Sequence, residues 1–273
     1  KRQILTFAMF SMGFIEDIKL NFKPIYRLIL MIVILLIFTI YFSIDITSID
    51  LNFLNSWLKN DIFSIIFVLL CFLFIVNGSN LIDGFNGLLA IHILIINIIL
   101  LFINLENNHE NLAIMIASQI VILISFLLFN FPKAKIFLGD SGSYLFGSLV
   151  ALNIVETNNL NPEISSFFFS ILLFYLFFEV FFSFLRKLLS RKSPIKPDRY
   201  HLHMLSYLYL EHSQKFKDCN YLNSILINLT YLSLIVPALF FKDNGVICRY
   251  WFFSLISIYI VFYYLLYSFE KKQ

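Results

Sequence analysis

Long apolar runs between short polar connections are the feature that most restricts what this chain can fold into. The stretch from Ile25 to Ile44 contains a single charged residue, Arg27. A helix of about 20 mostly apolar residues is long enough to cross the hydrocarbon core of a bilayer. The whole chain follows this pattern, since 60% of its 273 residues are hydrophobic and 14% are charged. A soluble domain is about half apolar and a quarter charged. The composition therefore predicts an all-α, polytopic transmembrane bundle rather than a soluble oligomer with a large apolar core.

Nine segments are candidate membrane spans, and two or three of them are short. They are Ile4–Ile15, Ile25–Ile44, Ile62–Val76, Leu88–Leu105, Leu112–Phe129, Tyr144–Val155, Ile164–Leu185, Tyr221–Phe241 and Tyr250–Phe269. Short spans indicate broken or buried helices near a site. We predict a single membrane domain over residues 1–273, with its longest polar connection at 186–220. The chain starts at Lys1 without an initiator Met, and we expect further helices upstream of it.

Lys and Arg are distributed unequally between the two sides that nine alternating spans define. Fifteen of the 20 basic residues fall on one side. Because cytoplasmic connections are enriched in Lys and Arg, we expect this side and the carboxyl terminus to be cytoplasmic. Three cysteines without a C-x-x-C pair indicate neither a disulfide framework nor a zinc site. No segment is typical of a nucleic-acid-binding face.

Polar residues on the expected cytoplasmic side form segments that a lipid-facing helix could not contain, because hydrocarbon offers them no hydrogen-bond partners. Residues 77–87 read N-G-S-N-L-I-D-G-F-N-G, and residues 139–142 read G-D-S-G. Mg²⁺ prefers oxygen ligands and usually takes one or two carboxylates together with substrate phosphates. Asp17, Asp83 and Asp140 could supply them. These segments indicate phosphoryl-type transfer that involves a membrane-resident reactant.

Each of these residues also has a purely structural interpretation. Asp17 could be an ordinary acid at a membrane boundary, and Asp140 could cap the helix that follows it. The amides of Asn77, Asn80 and Asn86 could hydrogen-bond neighbouring helices. Both interpretations remain open at the level of the sequence.

Glu179 lies within the predicted span Ile164–Leu185, and an acid inside a span is a candidate for a functional site. Contact with a substrate, pairing with Arg186 and helix packing are all compatible with its position. His201 and His203 are only a weak signal for zinc, since no cysteine or third histidine accompanies them.

Four segments, in this order, resemble the polyprenyl-phosphate N-acetylhexosamine-1-phosphate transferases, relatives of the phospho-MurNAc-pentapeptide translocase. The segments are G-F-I-E-D-I-K-L-N-F-K (13–23), N-G-S-N-L-I-D-G-F-N-G-L (77–88), F-N-F-P-K-A-K-I-F-L-G-D-S-G-S (129–143) and P-D-R-Y-H-L-H-M (197–204). Glu16, Asn86 and Met204 differ from the pattern, which has Asp, Asp and His at these positions.

The resemblance implies transfer of N-acetylhexosamine 1-phosphate from a UDP-sugar to undecaprenyl phosphate in a bacterial inner membrane, with release of UMP. It implies that Asp140 binds Mg²⁺, with Mn²⁺ as an alternative ion, and that Asp17 contacts or deprotonates the lipid phosphate. Asp83 would be a third catalytic carboxylate. The substrate contacts that it implies are those of Glu16, Lys23, Asn77, Asn80, Asn86, Asn130, Arg199, His201 and His203.

The identity of the sugar, the glycan pathway and the oligomeric state, a homodimer included, are left open by the sequence. Two alternative functions are also open. A transporter or flippase would place polar residues at mid-membrane from both sides. A catalytically inactive homologue would account for Glu16, Asn86 and Met204.

Overall fold

The computed structural model describes residues 1–18, 23–194, 196, 198–214 and 216–272. This part of the chain contains twelve α-helices and no strand, so the all-α prediction is confirmed. The helices are α1 (Arg2–Asp17), α2 (Pro24–Phe42), α3 (Asn52–Leu58), α4 (Asp61–Ile82), α5 (Leu88–Glu106), α6 (Glu110–Asn130), α7 (Gly139–Leu160), α8 (Ser166–Leu172), α9 (Phe174–Leu189), α10 (Leu202–His212), α11 (Cys219–Leu239) and α12 (Gly245–Glu270). Five motif residues, Lys19, Leu20, Asn21, Phe22 and Pro197, lie outside the described residues.

The nine predicted spans all coincide with helices, but these helices are not equally suited to cross a bilayer. Within the described ranges, six are long and apolar enough to do so alone: α2, α4, α5, α6, α11 and α12. The predicted span Ile164–Leu185 is instead a pair of helices, α8 and α9, bent by 74°, and this pair adds a seventh crossing if it counts as one. Helix α1 has only 16 residues, and α7 contains several Gly, Ser and Asn residues. Nine crossings therefore stay a prediction.

Helix α7 lies at the centre of the bundle, packed against α1, α4 and α5. Most of its residues are buried, so its polar side chains face other helices. The amide of Asn153 donates hydrogen bonds to Gln119 Oε1 at 2.8 Å and to Asn97 Oδ1 at 3.2 Å. Such interhelical hydrogen bonds satisfy polar groups that lipid cannot. They explain how a helix of modest hydropathy can occupy the middle of this bundle.

Helices α1 and α7 approach each other closely because α1 has a glycine at the contact. A Cβ placed on Gly13 would lie 2.4 Å from the carbonyl carbon and oxygen of Asp140, and 2.4 Å from the Cα of Ser141. Small residues permit this kind of backbone approach between membrane helices. The contact places Asp17, the last residue of α1, against the start of α7.

We expect Gly13→Ala to lower the Tm of the purified protein. Overpacking of a close-packed interior costs about 1–3 kcal/mol, and here the added methyl group would meet backbone rather than a movable side chain. Thermal unfolding in detergent measures the effect. Gly84→Ala is the matched control, because a Cβ at Gly84 meets nothing within 4 Å. Equal Tm values for the two variants would contradict the close contact of α1 with α7.

The segment 186–220, expected to be one polar connection, begins inside α9 and contains α10. Helix α10 packs on α11 and α12, and its Leu205 is buried. Apolar residues at helical spacing in L-H-M-L-S-Y-L explain why this stretch folds as a helix. His201 consequently stands at the N-cap of a helix and not in a free loop. That residues 1–273 form one domain stays a prediction.

Candidate active site

The carboxylate of Asp17 binds the backbone at the start of α7. Its Oδ1 accepts a hydrogen bond from Asp140 N at 2.9 Å, and its Oδ2 accepts one from Ser141 N at 3.0 Å and one from the Ser141 hydroxyl. The first N–H groups of a helix have no partner within that helix, so Asp17 caps α7 from another helix. Gly139 has a φ of +68°, and a Cβ there would lie 2.9 Å from Asp17 Oδ2. Glycine at this position lets the carboxylate reach the amides.

Asp140 lies in the first turn of α7 and is not its N-cap, contrary to the structural alternative raised by the sequence. Asn80 on α4 donates a hydrogen bond from Nδ2 to Asp140 Oδ1, and the same nitrogen lies 3.2 Å from Ser143 Oγ. Ser143 Oγ donates to the main-chain oxygen of Asp140 at 3.2 Å. Two of the motif segments, 60 residues apart in sequence, therefore meet at Asp140.

Asp83 follows the last residue of α4, three residues after Asn80, and is half-buried. Burial, together with the negative charges of Asp140 and Asp17, raises the pKa of the Asp83 carboxyl to about 7. Negative charges near a carboxyl group disfavour its charged form, whereas a neighbouring cation favours the charged form. Asp17, Asp83 and Asp140 are called the carboxylate cluster below.

The oxygen atoms of the carboxylate cluster are the type of ligand that a hard divalent cation prefers. Among the described residues, no group of three or more His, Cys, Asp or Glu side chains is arranged to hold a metal ion by itself. Mg²⁺ does not need such a group, since it usually retains waters and binds substrate phosphates. Both oxygens of Asp17 are engaged by backbone amides. Asp83 and Asp140 are therefore better placed to bind a cation than Asp17.

Arg27 binds Glu16, the residue before Asp17, and was not among the site residues that the sequence predicted. Its guanidinium forms an ion pair with Glu16 Oε1, and the Tyr144 hydroxyl donates to Glu16 Oε2 at 3.4 Å. Both charged side chains are half-buried. The sequence holds no local signal for this role, because Arg27 is a lone charge at the start of an apolar run. Only the packing of α2 against α1 brings it to Glu16.

Asn130 and Asn86 use their amides to shape the backbone near the cluster. Asn130 is buried; its Oδ1 accepts from Gly87 N at 2.7 Å, and its Nδ2 donates to Ile136 O at 2.8 Å. Asn86 donates from Nδ2 to Pro132 O at 2.9 Å. An ionised aspartate at position 86 could not donate this bond. Asn86, where the family's pattern has Asp, therefore makes a hydrogen bond in this structure that an ionised Asp could not make.

Three further residues predicted to contact substrate lie at the edge of this arrangement. Asn77 donates to Leu73 O at 2.8 Å and lies 3.3 Å from Met31 Sδ, so its amide contributes to the packing of α4 on α2. Lys23 is the N-cap residue of α2, and Arg199 precedes α10. Both side chains are exposed. None of the three is a described hydrogen-bond partner of the carboxylate cluster.

The histidine segment, defined as residues 201–203, lies beside the turn that carries Asp83. The rings of His201 and His203 are nearly parallel, with their centroids 5.5 Å apart, and both side chains are buried. Phe85 belongs to the turn after Asp83, and its ring centroid is 6.0 Å from that of His203. The carboxylate cluster and the histidine segment are therefore neighbours, although they belong to distant parts of the sequence.

Glu179 lies beneath the histidine segment and is only 1% exposed. Its Oε1 accepts a hydrogen bond from His201 Nδ1 at 3.0 Å. Pairing with Arg186, one of the options open from the sequence, is not what the structure has, because Arg186 binds Asp198 at 2.8 Å. Glu179 thus contacts a predicted site residue from inside the protein.

Comparison with known proteins places this arrangement in a family. Residues 3–158 match the family described as glycosyl transferase family 4. This range includes the carboxylate cluster and more than half of the chain. The chain belongs to glycosyl transferase family 4. The histidine segment and Glu179 lie outside the matched range, as do the helices from α8 onward.

Individual family 4 relatives cover different shares of the chain. It is 30% identical over 200 residues to the undecaprenyl-phosphate alpha-N-acetylglucosaminyl 1-phosphate transferase of Thermotoga maritima, which is 73% of this chain and 59% of the relative. It is 36% identical over 106 residues to the phospho-N-acetylmuramoyl-pentapeptide-transferase of Clostridium perfringens, or 39% of this chain and 33% of the relative. The alignments thus span about three fifths and one third of these relatives, respectively.

Proposed function

We propose that this family 4 protein transfers N-acetylhexosamine 1-phosphate from a UDP-sugar to undecaprenyl phosphate and releases UMP. The observation that carries the proposal is the contact of Asp17 and Asn80 with Asp140 at the start of α7, with Asp83 three residues after Asn80, all within the range that matches the family. The names of the relatives support the same class of reaction. An oxygen of the lipid phosphate attacks the β-phosphorus of the UDP-sugar, and the bond from that phosphorus to the bridging oxygen of UMP breaks.

A divalent cation, Mg²⁺ or alternatively Mn²⁺, belongs to this proposal. Asp140 and Asp83 would hold it together with diphosphate oxygens of the substrate, since Asp17 is occupied by the backbone of α7. The cation would neutralise charge that otherwise repels the attacking phosphate. Within the protein, Asn80 orients the Asp140 carboxylate and Asp17 fixes the first turn of α7. Positioning and charge neutralisation are the main sources of rate enhancement in phosphoryl transfer.

The proposed orientation places the carboxylate cluster and the carboxyl terminus on the cytoplasmic side of a bacterial inner membrane. Fifteen of the 20 Lys and Arg residues support it, because basic residues favour cytoplasmic connections. A UDP-sugar from the cytoplasm could then reach the carboxylate cluster directly. The lipid phosphate would approach from the bilayer, where α1 and α2 expose apolar side chains.

Release of UMP tests the proposed function. Membranes from cells that express the complete gene encoding this chain are supplied with undecaprenyl phosphate, Mg²⁺ and one UDP-sugar at a time from a panel of UDP-N-acetylhexosamines. We expect UMP release with at least one sugar, dependent on the added lipid phosphate and lost on addition of EDTA. Membranes from cells without the gene are the control. UMP release that does not depend on the added lipid phosphate, or no UMP release with any sugar, would contradict the proposal.

Arg27→Gln is expected to weaken the use of undecaprenyl phosphate about tenfold or more. The substitution removes the only cation paired with Glu16 among the described ion pairs, and a hydrogen bond to a charged group contributes about 1.5–3 kcal/mol. The negative charge left beside Asp140 would then repel an incoming phosphate. The KM for undecaprenyl phosphate measures the effect, and Lys59→Gln, at an exposed position before α4, is the control. An unchanged KM would show that Arg27 serves the fold alone.

A further inference from the structure

The buried carboxylate of Glu179 accepts hydrogen bonds from three different groups. Its Oε1 accepts from His201 Nδ1 at 3.0 Å and from Leu202 N at 3.1 Å, and its Oε2 accepts from the Tyr259 hydroxyl at 2.7 Å. With 1% of the residue exposed, these groups replace the water that an acid would otherwise have. A buried carboxylate is tolerated only where such donors are present.

The donors lie at the start of α10 and in α12, so the hydrogen bonds of Glu179 link these two helices. Leu202 is the first residue of α10 and His201 is its N-cap, while Tyr259 lies in α12. His201 has no side-chain capping bond of its own, so the carboxylate from α9 satisfies an N–H at the start of α10. Asp17 has the same relation to α7. In both cases a carboxylate from a neighbouring helix fixes the beginning of a helix that carries motif residues.

Other contacts extend this arrangement towards the carboxylate cluster. The His203 ring lies parallel to the ring of His201, and His203 Nδ1 is 3.4 Å from the hydroxyl of Tyr175 on the same helix as Glu179. The His203 ring also makes an edge-to-face contact with the ring of Phe85, in the turn after Asp83, with the centroids 6.0 Å apart. A displacement of His201 would therefore be transmitted to the turn that carries Asp83.

We infer that Glu179 is a positioning residue for the UDP-sugar side of the site. Its carboxylate holds the histidine segment against the turn of Asp83 and Phe85, and it does not itself contact a substrate. The inference rests on the proposed function for its kinetic consequences, but the placement of the histidine segment can be tested without turnover. The lipid side of the site, at Arg27 and Glu16, is formed by α1 and α2 and makes no described contact with Glu179.

Glu179→Gln keeps the shape of the side chain and removes its charge. We expect the KM for UDP-N-acetylglucosamine, or for the UDP-sugar that supports UMP release, to rise about tenfold, as for loss of a charged hydrogen-bond acceptor. The KM for undecaprenyl phosphate and kcat should change less than about threefold, which is within the range of a single neutral hydrogen bond. Glu106→Gln is the matched control, since Glu106 pairs with Lys242 at an exposed position. It should leave all three values unchanged.

Modification of histidines by diethyl pyrocarbonate, mapped by mass spectrometry, supplies a second measurement that needs no activity. We expect His201 and His203 to react slowly in the original protein and several-fold faster in Glu179→Gln, because the segment loosens. His92, fully buried elsewhere, should stay unreactive in both. Tyr259→Phe removes one of the hydrogen-bond donors to Glu179. It should raise the reactivity of His201 and His203 and the KM for the UDP-sugar, each by less than Glu179→Gln does. It also tests the inference if Glu179→Gln fails to fold.

Two results would overturn the inference. One is unchanged histidine reactivity together with an unchanged KM for the UDP-sugar. The other is a uniform loss in kcat and both KM values with a lowered Tm, which describes a residue of general structural importance. If the original protein releases no UMP, the proposed function fails. The reactivity of His201 and His203 in Glu179→Gln then still decides whether Glu179 holds the histidine segment.

Discussion

Asp140→Asn is expected to reduce UMP release about a hundredfold or more while the protein still folds and inserts into the membrane. Asparagine has nearly the same shape, and its Oδ1 could still accept the hydrogen bond from Asn80. The negative charge, however, is lost at the point where two motif segments meet. Removal of one preorganised electrostatic contact at a reacting centre typically lowers turnover by about 10²–10³. Initial rates at saturating UDP-sugar, normalised to the amount of protein in the membrane, measure this.

Asp61→Asn is the matched control for Asp140→Asn, because Asp61 is an exposed acid at the opposite end of α4 from Asp83. We expect this variant to turn over normally. Half-maximal activity of Asp140→Asn should also require a higher Mg²⁺ concentration, if any activity remains. Normal turnover of Asp140→Asn at unchanged Mg²⁺ would remove Asp140 from the proposed mechanism.

Asp17→Asn is expected to reduce both turnover and stability. The carboxylate accepts bonds through both oxygens from Asp140 N and Ser141 N, whereas an amide offers a single acceptor and turns its NH₂ towards a donor. Loss of a helix cap costs about 1 kcal/mol, and the first turn of α7 would shift with Asp140 on it. We expect a lower Tm and a loss of turnover of about tenfold or more, since small misplacements of reacting groups are costly.

The same variant separates two roles for Asp17. The resemblance implies that Asp17 contacts or deprotonates the lipid phosphate. In the structure, both of its carboxylate oxygens accept hydrogen bonds from backbone amides of α7. A positioning role predicts that Tm and turnover fall together. Complete loss of turnover with an unchanged Tm would instead favour direct contact of Asp17 with the lipid phosphate.

The helical class could be predicted from hydropathy alone, but the break between α8 and α9 could not. Sharp bends usually occur at Pro or Gly, and the sequence from 164 to 189 contains neither. The bend of 74° arises where α8 packs against α12 and α9 packs against α4. Such contacts between distant helices leave no periodic signal. The apolar run predicted one uninterrupted span for Ile164–Leu185, and the structure has a bent pair of helices there; that this pair crosses the membrane stays a prediction.

The structure brings Asp17 and Asp140 of two motif segments together, yet the partners of individual side chains were not predictable from the sequence. Asp17 and Asp140 are 123 residues apart, and nothing in either segment indicates that one caps the helix of the other. Arg27 carries no local signal at all. Asn130 and Asn86 were expected to contact substrate, and in the structure their amides bind backbone atoms of the chain itself. Substrate contact by these two amides stays a prediction.

Departures from the family's pattern favoured an inactive homologue as one alternative, and two of them have partners in the structure. Glu16 pairs with Arg27, and Asn86 donates to Pro132 O.

The buried amides of Asn97, Gln119 and Asn153, deep in the bundle, hydrogen-bond one another. The polar groups that a transporter would present at mid-membrane are here engaged in packing, which favours the transferase.

The fate of the β-phosphorus tests the central claim most directly. UDP-N-acetylglucosamine labelled at the β-phosphate with ³²P, or the labelled form of whichever UDP-sugar supports release, is incubated with the membranes, undecaprenyl phosphate and Mg²⁺. The labelled lipid and nucleotide are then separated by extraction into organic solvent. Transfer of a sugar 1-phosphate predicts that the label enters the lipid fraction while unlabelled UMP is released. Label that remains in the nucleotide as UDP would show transfer of the sugar alone and would contradict the proposed reaction.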